Sequence, residues 1–290
     1  MMDSPVPNVQ ELLRRYGLTG GAKKSLGQNF LIDHDVARRI VAAADVAPSE
    51  TVLEIGPGPG VLTGMLVAQA ARVAAVELDS RLVRLLLQEH REAVDAGRLS
   101  VVQGDVLESN PAELVAPAAA YVVVANLPYY ITSPVLRHLL EASRPPERAV
   151  VMVQREVAER IVAPAGDLSV LGVSVQFYAE PELLFVVPPD AFRPAPKVES
   201  AVLRLRVRPQ PAVADVAPAL YFRMVRAGFG QKRKQLANSL SAGLALPKAE
   251  AVGLLEAAAI EPSRRAETVT LAEWGELTRR YAAREPTARS

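Results

Sequence analysis

The 290-residue sequence predicts a doubly wound α/β sheet joined to a small all-α domain. Three observations carry that expectation. Short runs rich in β-branched residues alternate with helical patterns between about 51 and 163. The first of them passes through Gly56-Pro57-Gly58-Pro59-Gly60 into a helix, the opening of a nucleotide-binding βαβ unit. From 219 to 281 the apolar spacing is helical throughout.

Composition narrows the class before any element is placed. Half the residues are hydrophobic, which fits a globular chain with a substantial core. There is no cysteine, so disulfides, thiol nucleophiles and cysteine-ligated metals are excluded. The opening Met-Met-Asp-Ser-Pro lacks a basic stretch followed by an apolar one, and no apolar run approaches the ~18 residues that span a bilayer. A cytoplasmic protein without a membrane partner is expected.

Along the chain, 8–16 reads as a short helix, and Thr19-Gly20-Gly21 breaks it. Lys23 to Leu31 is a polar loop with one apolar anchor, Phe30. Val36, Ile40, Val41 and Ala44 recur at helical spacing over 35–44. Strands are expected at 51–55, 72–78, 99–103, 121–125 and 149–153, with helices after 61, 80 and 155. Ser133-Pro134 is expected to open a further helix as N-cap and first helical residue. Beyond Leu168, 181–188 and 200–208 read as antiparallel additions, and 209–218 as a Pro-rich linker. The expected division is 1–208, catalytic, and 209–290, helical.

Four of the five strands carry Glu54, Glu77, Asp105 and Asn126 at or near their C-terminal ends, where ligands bind in such sheets. A dinucleotide fingerprint needs Gly at its first, third and sixth positions; here they are Gly56, Gly58 and Val61, so the third is missing. Glu54 would repel a pyrophosphate but suits a cationic or zwitterionic ligand. Glu77, 21 residues after Gly56, is placed for two ribose hydroxyls, and Asp105 for an adenine amine. Ribose, adenine, a positive centre and no phosphate describe S-adenosylmethionine.

Asn126-Leu127-Pro128-Tyr129 closes the fourth strand. Its amide oxygen and a backbone carbonyl can accept both N–H groups of an exocyclic amine, with Tyr129 stacked on the ring. Alone, the tetrapeptide equally fits a strand-to-helix turn with Tyr129 in the core. His34, His90 and His138 lie in or near helical stretches and suit neither a triad nor a metal cluster; no metal is expected.

With these residues in place, the chain resembles the rRNA adenine N6-dimethyltransferases, most closely their small-subunit branch. The resemblance is carried in order by 23–31 (KKSLGQNFL), 54–60 (EIGPGPG), 77–79 (ELD), 104–105 (GD), 126–129 (NLPY), 192–202 (FRPAPKVESAV) and 229–240 (FGQKRKQLANSL). It implies a Rossmann-like class I S-adenosylmethionine-dependent methyltransferase fold and dimethylation of two adjacent adenines near the 3′ end of 16S rRNA. It also implies cofactor contacts at Gln28, Asn29, Leu31, Glu54, Gly56, Gly58, Glu77, Leu78, Asp105, Val106 and Asn126. The target base falls to Asn126, Leu127, Pro128 and Tyr129, with Phe192 as the second face of an aromatic sandwich. The partner is then 16S rRNA within the 30S subunit or its precursor, met by a monomer that also serves 30S biogenesis. The erythromycin-resistance branch, acting on large-subunit rRNA, and an assembly factor with secondary methylation are the competing readings.

Charge distribution fits an RNA partner. Between 181 and 246 there are ten Lys/Arg and four Asp/Glu, a local +6 in a chain of net +1. RNA contacts are expected at Lys23, Lys24, Arg193, Lys197, Arg223, Arg226, Lys232, Arg233 and Lys234.

Overall fold

The computed structural model describes residues 9–18 and 27–284. In chain order the elements are α1 (Val9–Arg15), β1 (Phe30–Leu31), α2 (His34–Ala44), β2 (Thr51–Ile55), α3 (Val61–Gln69) and β3 (Arg72–Glu77). There follow α4 (Ser80–Glu89), α5 (Arg91–Asp95), β4 (Leu99–Gln103), α6 (Pro111–Leu114), β5 (Val122–Asn126), α7 (Thr132–Leu140) and β6 (Arg148–Gln154). The chain continues through α8 (Arg155–Val162), α9 (Val170–Tyr178), β7 (Ala179–Val187), β8 (Phe192–Arg193) and β9 (Ser200–Val207). The last helices are α10 (Pro218–Phe229), α11 (Leu236–Leu244), α12 (Lys248–Ala257) and α13 (Leu271–Ala282). No helix among the described residues is long and apolar enough to cross a membrane.

Seven strands form one sheet in the order β4-β3-β2-β5-β6-β9-β7. β4, β3, β2, β5 and β6 are parallel, and β9 adds antiparallel to β6. Their sequences explain this. β2 is buried at all five positions and β5 at four, as strands covered by helices on both faces must be. The chain runs outward from β2 through β3 to β4, then returns to place β5 on the other side of β2. That reversal opens a crevice beyond Ile55 and Asn126, the switch point where doubly wound sheets bind ligands.

Side chains fix the helix starts nearby. Asp33 caps α2 by accepting from the Asp35 and Val36 amides, and Asp79 caps α4 by accepting from Arg81. α7 differs from expectation. A 3₁₀ turn at Tyr129–Ile131 runs straight into it, so the helix begins at Thr132 and Ser133 is inside it rather than its cap. Pro134 is tolerated because an N–H in the first turn has no intrahelical partner to lose.

The chain separates into two compact units, 1–158 with 181–207 and 159–180 with 208–290. The division is thus not a single cut after 208: the segment 159–180 groups with the C-terminal helices. α9 is the reason. Its Phe177 ring lies 4.5 Å from the Tyr221 ring and 5.1 Å from Phe222, and Val173 joins the same core. The Gln176 amide donates to the Ile161 and Ala163 carbonyls, closing the segment on itself. The 209–218 stretch is tied down as well, with Val213 buried in this core. Trp274 lies fully buried between α10 and α13, and a methyl on Gly228 would run into its ring.

Candidate active site

A cavity opens beyond the C-terminal ends of β2, β3, β4 and β5. It is lined by Gln28, Asn29, Leu31, Glu54, Gly56, Gly58, Glu77, Leu78, Asp105, Val106 and Asn126, all expected at a cofactor site, and by Leu127, Pro128 and Tyr129. The turn after β2 makes the room. Gly56, Gly58 and Gly60 all have left-handed backbones, with φ of 64°, 58° and 90°. A side chain at Gly58 would also crowd the Phe30 ring at 3.3 Å.

Glu77 ties this turn to the end of β3. One carboxylate oxygen accepts from the Gly58 amide at 3.1 Å, the other from Asp79 at 2.9 Å. Burial holds its pKa up, and the backbone donors at Asp79 and Gly58 oppose the rise. The Leu78 amide also favours the ionised carboxylate, whose remaining lone-pair capacity is available to a ribose hydroxyl. Asp105 is similar: one oxygen accepts from the Leu107 amide at 2.9 Å, and the other has no partner among the described residues. Leu78, 46% exposed, offers an apolar surface beside them.

Glu54 is the most telling group. It is 1% exposed, and neither oxygen accepts a hydrogen bond among the described residues. Burial pushes its carboxyl up to about 8; the nearby Thr63 hydroxyl pulls the other way without reaching hydrogen-bond geometry, and the Glu77 charge adds to the rise. An orphaned buried carboxyl is expensive, and a ligand ammonium would satisfy it. Glu54, Glu77 and Asp105 therefore fit, in sequence along one cavity wall, an amino acid ammonium, a ribose diol and an adenine amine.

Asn126 ends β5, and its Nδ2 donates to the Asn29 carbonyl at 3.3 Å. That bond fixes the amide with its oxygen free to accept. The Leu127 amide donates to the Met152 carbonyl at 3.1 Å, while the Leu127 carbonyl accepts no hydrogen bond among the described residues. Two acceptors are thus presented at one strand end. Tyr129 is half-buried, and its hydroxyl meets that of the fully buried Ser200 on β9 at 2.7 Å. Burial raises the Tyr129 pKa and the Ser200 contact opposes it, so the ring is a neutral stacking surface.

The resemblance implies Phe192 as the second face of an aromatic sandwich. The residue is 1% exposed, sits in the core of its unit and does not line the cavity. β8 pairs antiparallel with β1, placing Phe192 opposite Leu31 and Arg193 opposite Phe30; Phe192, Leu31 and Phe30 are buried and Arg193 is exposed. Two residues that sequence reasoning passed over join the site. Ser200 anchors Tyr129, and Tyr130 lines the cavity beside it. Tyr130 could have been suspected from its position directly after the tetrapeptide.

Of the expected RNA contacts, Lys23 and Lys24 lie outside the described residues. Arg193 and Lys197 are exposed, as are Arg223, Arg226, Lys232, Arg233 and Lys234 in the helical unit. Among the described residues Arg226, Lys232, Arg233 and Lys234 make no ion pair, whereas the Arg223 guanidinium stands over the Tyr281 ring. Part of the basic excess is structural: Arg204 and Arg206 pair with Glu182, and Arg208 with Glu180.

A family described as "Ribosomal RNA adenine dimethylase" matches residues 20–277. A "Ribosomal RNA small subunit methyltransferase A" of Dehalococcoides mccartyi (strain ATCC BAA-2266 / KCTC 15142 / 195) is 46% identical over 272 residues, 93% of this chain and 91% of that protein. One of Desulfitobacterium hafniense (strain Y51) is 46% identical over 275 residues, 93% and 96%. Among solved structures, the 23S rRNA methyltransferase ErmE is 31% identical with a TM-score of 0.66, covering 87% of this chain and 99% of that one. A dimethyladenosine transferase from Plasmodium falciparum, 24% identical with a TM-score of 0.72, covers 87% and 96% and shares the fold.

Proposed function

The chain belongs to the ribosomal RNA adenine dimethylase family, and we propose that its substrate is a pair of adjacent adenines near the 3′ end of 16S rRNA, in the 30S subunit or its precursor. It is an S-adenosylmethionine-dependent rRNA adenine N6-dimethyltransferase. The small-subunit assignment is supported by relatives named for that subunit at 42–46% identity over nine-tenths or more of this chain. The observation that carries the chemistry is the pairing of the Asn126 side-chain oxygen with the Leu127 carbonyl, neither of which accepts a hydrogen bond among the described residues, at a cavity walled by Glu54, Glu77 and Asp105.

S-adenosylmethionine, when bound, supplies an already activated sulfonium methyl. The protein's residues then have three tasks. Glu54, Glu77 and Asp105 hold the cofactor by its ammonium, ribose and adenine. Asn126 and Leu127 accept from the two N–H groups of the target amine. Adenine N6 is a poor nucleophile because its lone pair is delocalised into the ring, and two such acceptors favour a more tetrahedral nitrogen. Tyr129 stacks on the base and fixes its attack angle, so orientation supplies much of the rest. No strong general base is needed, since the amine turns acidic as it gains the methyl, and no histidine lines the cavity. In the second round the monomethylated amine keeps one N–H and uses one acceptor fewer.

The target adenine must leave its stack to enter the cavity. Stacking on Tyr129 returns about 1–3 kcal/mol of that cost. Arg223, Arg226, Lys232, Arg233 and Lys234 contact phosphates and orient the RNA. The protein works as a cytoplasmic monomer and also takes part in 30S biogenesis.

A second reading, methylation of large-subunit rRNA, is favoured by the likeness to ErmE. Methyl transfer from labelled S-adenosylmethionine to undermethylated 30S and 50S particles separates the two. Dimethyladenosine in 16S rRNA, lost in Asn126→Ala, is the expected result. Label confined to the large subunit would select the second reading, and tight 30S binding without transfer would favour an assembly factor.

A further inference from the structure

Tyr130 has no task in the chemistry above, yet it is 57% exposed, the most exposed of the large hydrophobic side chains among the described residues. It lines the same cavity as Asn126 and Tyr129 and follows Tyr129 directly in the 3₁₀ turn. With three residues per turn, neighbours in such a turn point about 120° apart. Tyr129 accordingly reaches inward to Ser200, while Tyr130 stands outward at the rim. Its hydroxyl makes no hydrogen bond among the described residues. Its ring is nevertheless supported: Gly27, with φ of 59°, packs so closely beneath it that a methyl there would lie 3.0 Å from Cδ1 and 3.2 Å from Cε1. One side of the ring rests on the Gly27 backbone, and 57% of the residue is exposed.

An open aromatic ring on a rigid turn, one residue from the group that receives the flipped base, is a stacking platform. We propose that Tyr130 stacks on the nucleobase flanking the target adenine, so that the protein grips two successive bases of the rRNA strand, one on each tyrosine. This rests on the small-subunit rRNA reading and adds to it a residue that reads the strand beside the target. The contact is sequence-tolerant, because every base presents a π-face.

The test compares Tyr130→Leu with Tyr130→Phe on undermethylated 30S particles. Leucine keeps packing against Gly27 but cannot stack; phenylalanine keeps the ring. Tyr130→Leu is expected to raise KM for the particle about 5- to 100-fold, the loss of one base–aromatic stack. S-adenosylmethionine affinity, measured by calorimetry, should stay unchanged, and Tyr130→Phe should restore the particle KM. Reconstituted particles abasic at the flanking nucleotide complete the cycle: base removal should penalise the wild type but add nothing to Tyr130→Leu. A wild-type KM in Tyr130→Leu, a loss confined to cofactor affinity, or an equal abasic penalty in both proteins would overturn the proposal. Wild-type transfer to intact 30S particles, run alongside, reports on the small-subunit reading itself. Its absence would sink that reading and this one together, whereas its presence isolates the fate of Tyr130.

Discussion

The Glu54 side chain ties protonation to binding. Its carboxyl is held near pH 8 by burial, against an ordinary value of 4.5. A carboxyl raised in this way binds its proton more tightly in the folded chain, so its contribution to stability is complete below pH 4.5 and declines as pH rises towards 8. Glu54→Gln removes that slope. Thermal melts of the ligand-free proteins should show the variant gaining on the wild type between pH 5 and pH 8; a constant difference would refute the assignment. Cofactor binding at pH 7 should release close to one proton, as the carboxyl ionises against the incoming ammonium. Calorimetry in two buffers of different ionisation enthalpy measures it, and the release should vanish in Glu54→Gln. Much of this site was legible in the sequence, because Glu54, Glu77, Asp105 and Asn126 sit at strand ends whose apolar runs are unmistakable. Phe192 is implied by the resemblance alone, and its burial depends on the pairing of β8 with β1, a strand far away in the chain, which no sequence period encodes. Ser200 was invisible because its role depends on a partner 71 residues away.

At the level of elements, the strands and the βα turns were legible because parallel strands covered on both faces are nearly continuous apolar runs. α9 was not. Its sequence, VLGVSVQFY, is apolar and β-branched all round, so it lacks the 3.6-residue stripe of a surface helix. Only its packing against Tyr221 and Phe222 shows which unit it joins. Packing likewise decides what a methyl group does in the C-terminal helices. At Gly228 it would strike the Trp274 ring and approach Leu236 Cδ1 at 3.1 Å, whereas at Gly253 on α12 nothing lies within 4 Å. Gly228→Ala should therefore destabilise the fold by about 1–3 kcal/mol. Gly253→Ala should stabilise it by up to about 1 kcal/mol through helix propensity. Urea unfolding of both variants checks the pair, and equal effects would show that the Trp274 contact is not tight.

Across the whole molecule, the near-zero net charge conceals a division of labour among cations. Those on β9 and its neighbours are paired with Glu180 and Glu182, while Lys232, Arg233 and Lys234 are exposed and unpaired among the described residues. Replacing these three with alanine should weaken 30S binding and flatten its dependence on salt. The slope of log K against log salt should fall by about 2 to 3, one counterion or slightly less per lost phosphate contact. An unchanged slope would place the RNA elsewhere. The switch point that forms the cavity also brings the Asn29 carbonyl to the Asn126 amide across 97 residues of chain. The segment lining the cofactor cavity thereby holds the group that faces the target amine. Such a link obeys reciprocity: whatever factor the cofactor adds to RNA affinity, RNA must add to cofactor affinity. Titrating cofactor with and without saturating 30S particles, and particles with and without cofactor, should return one coupling factor, and Asn126→Ala should reduce it to unity.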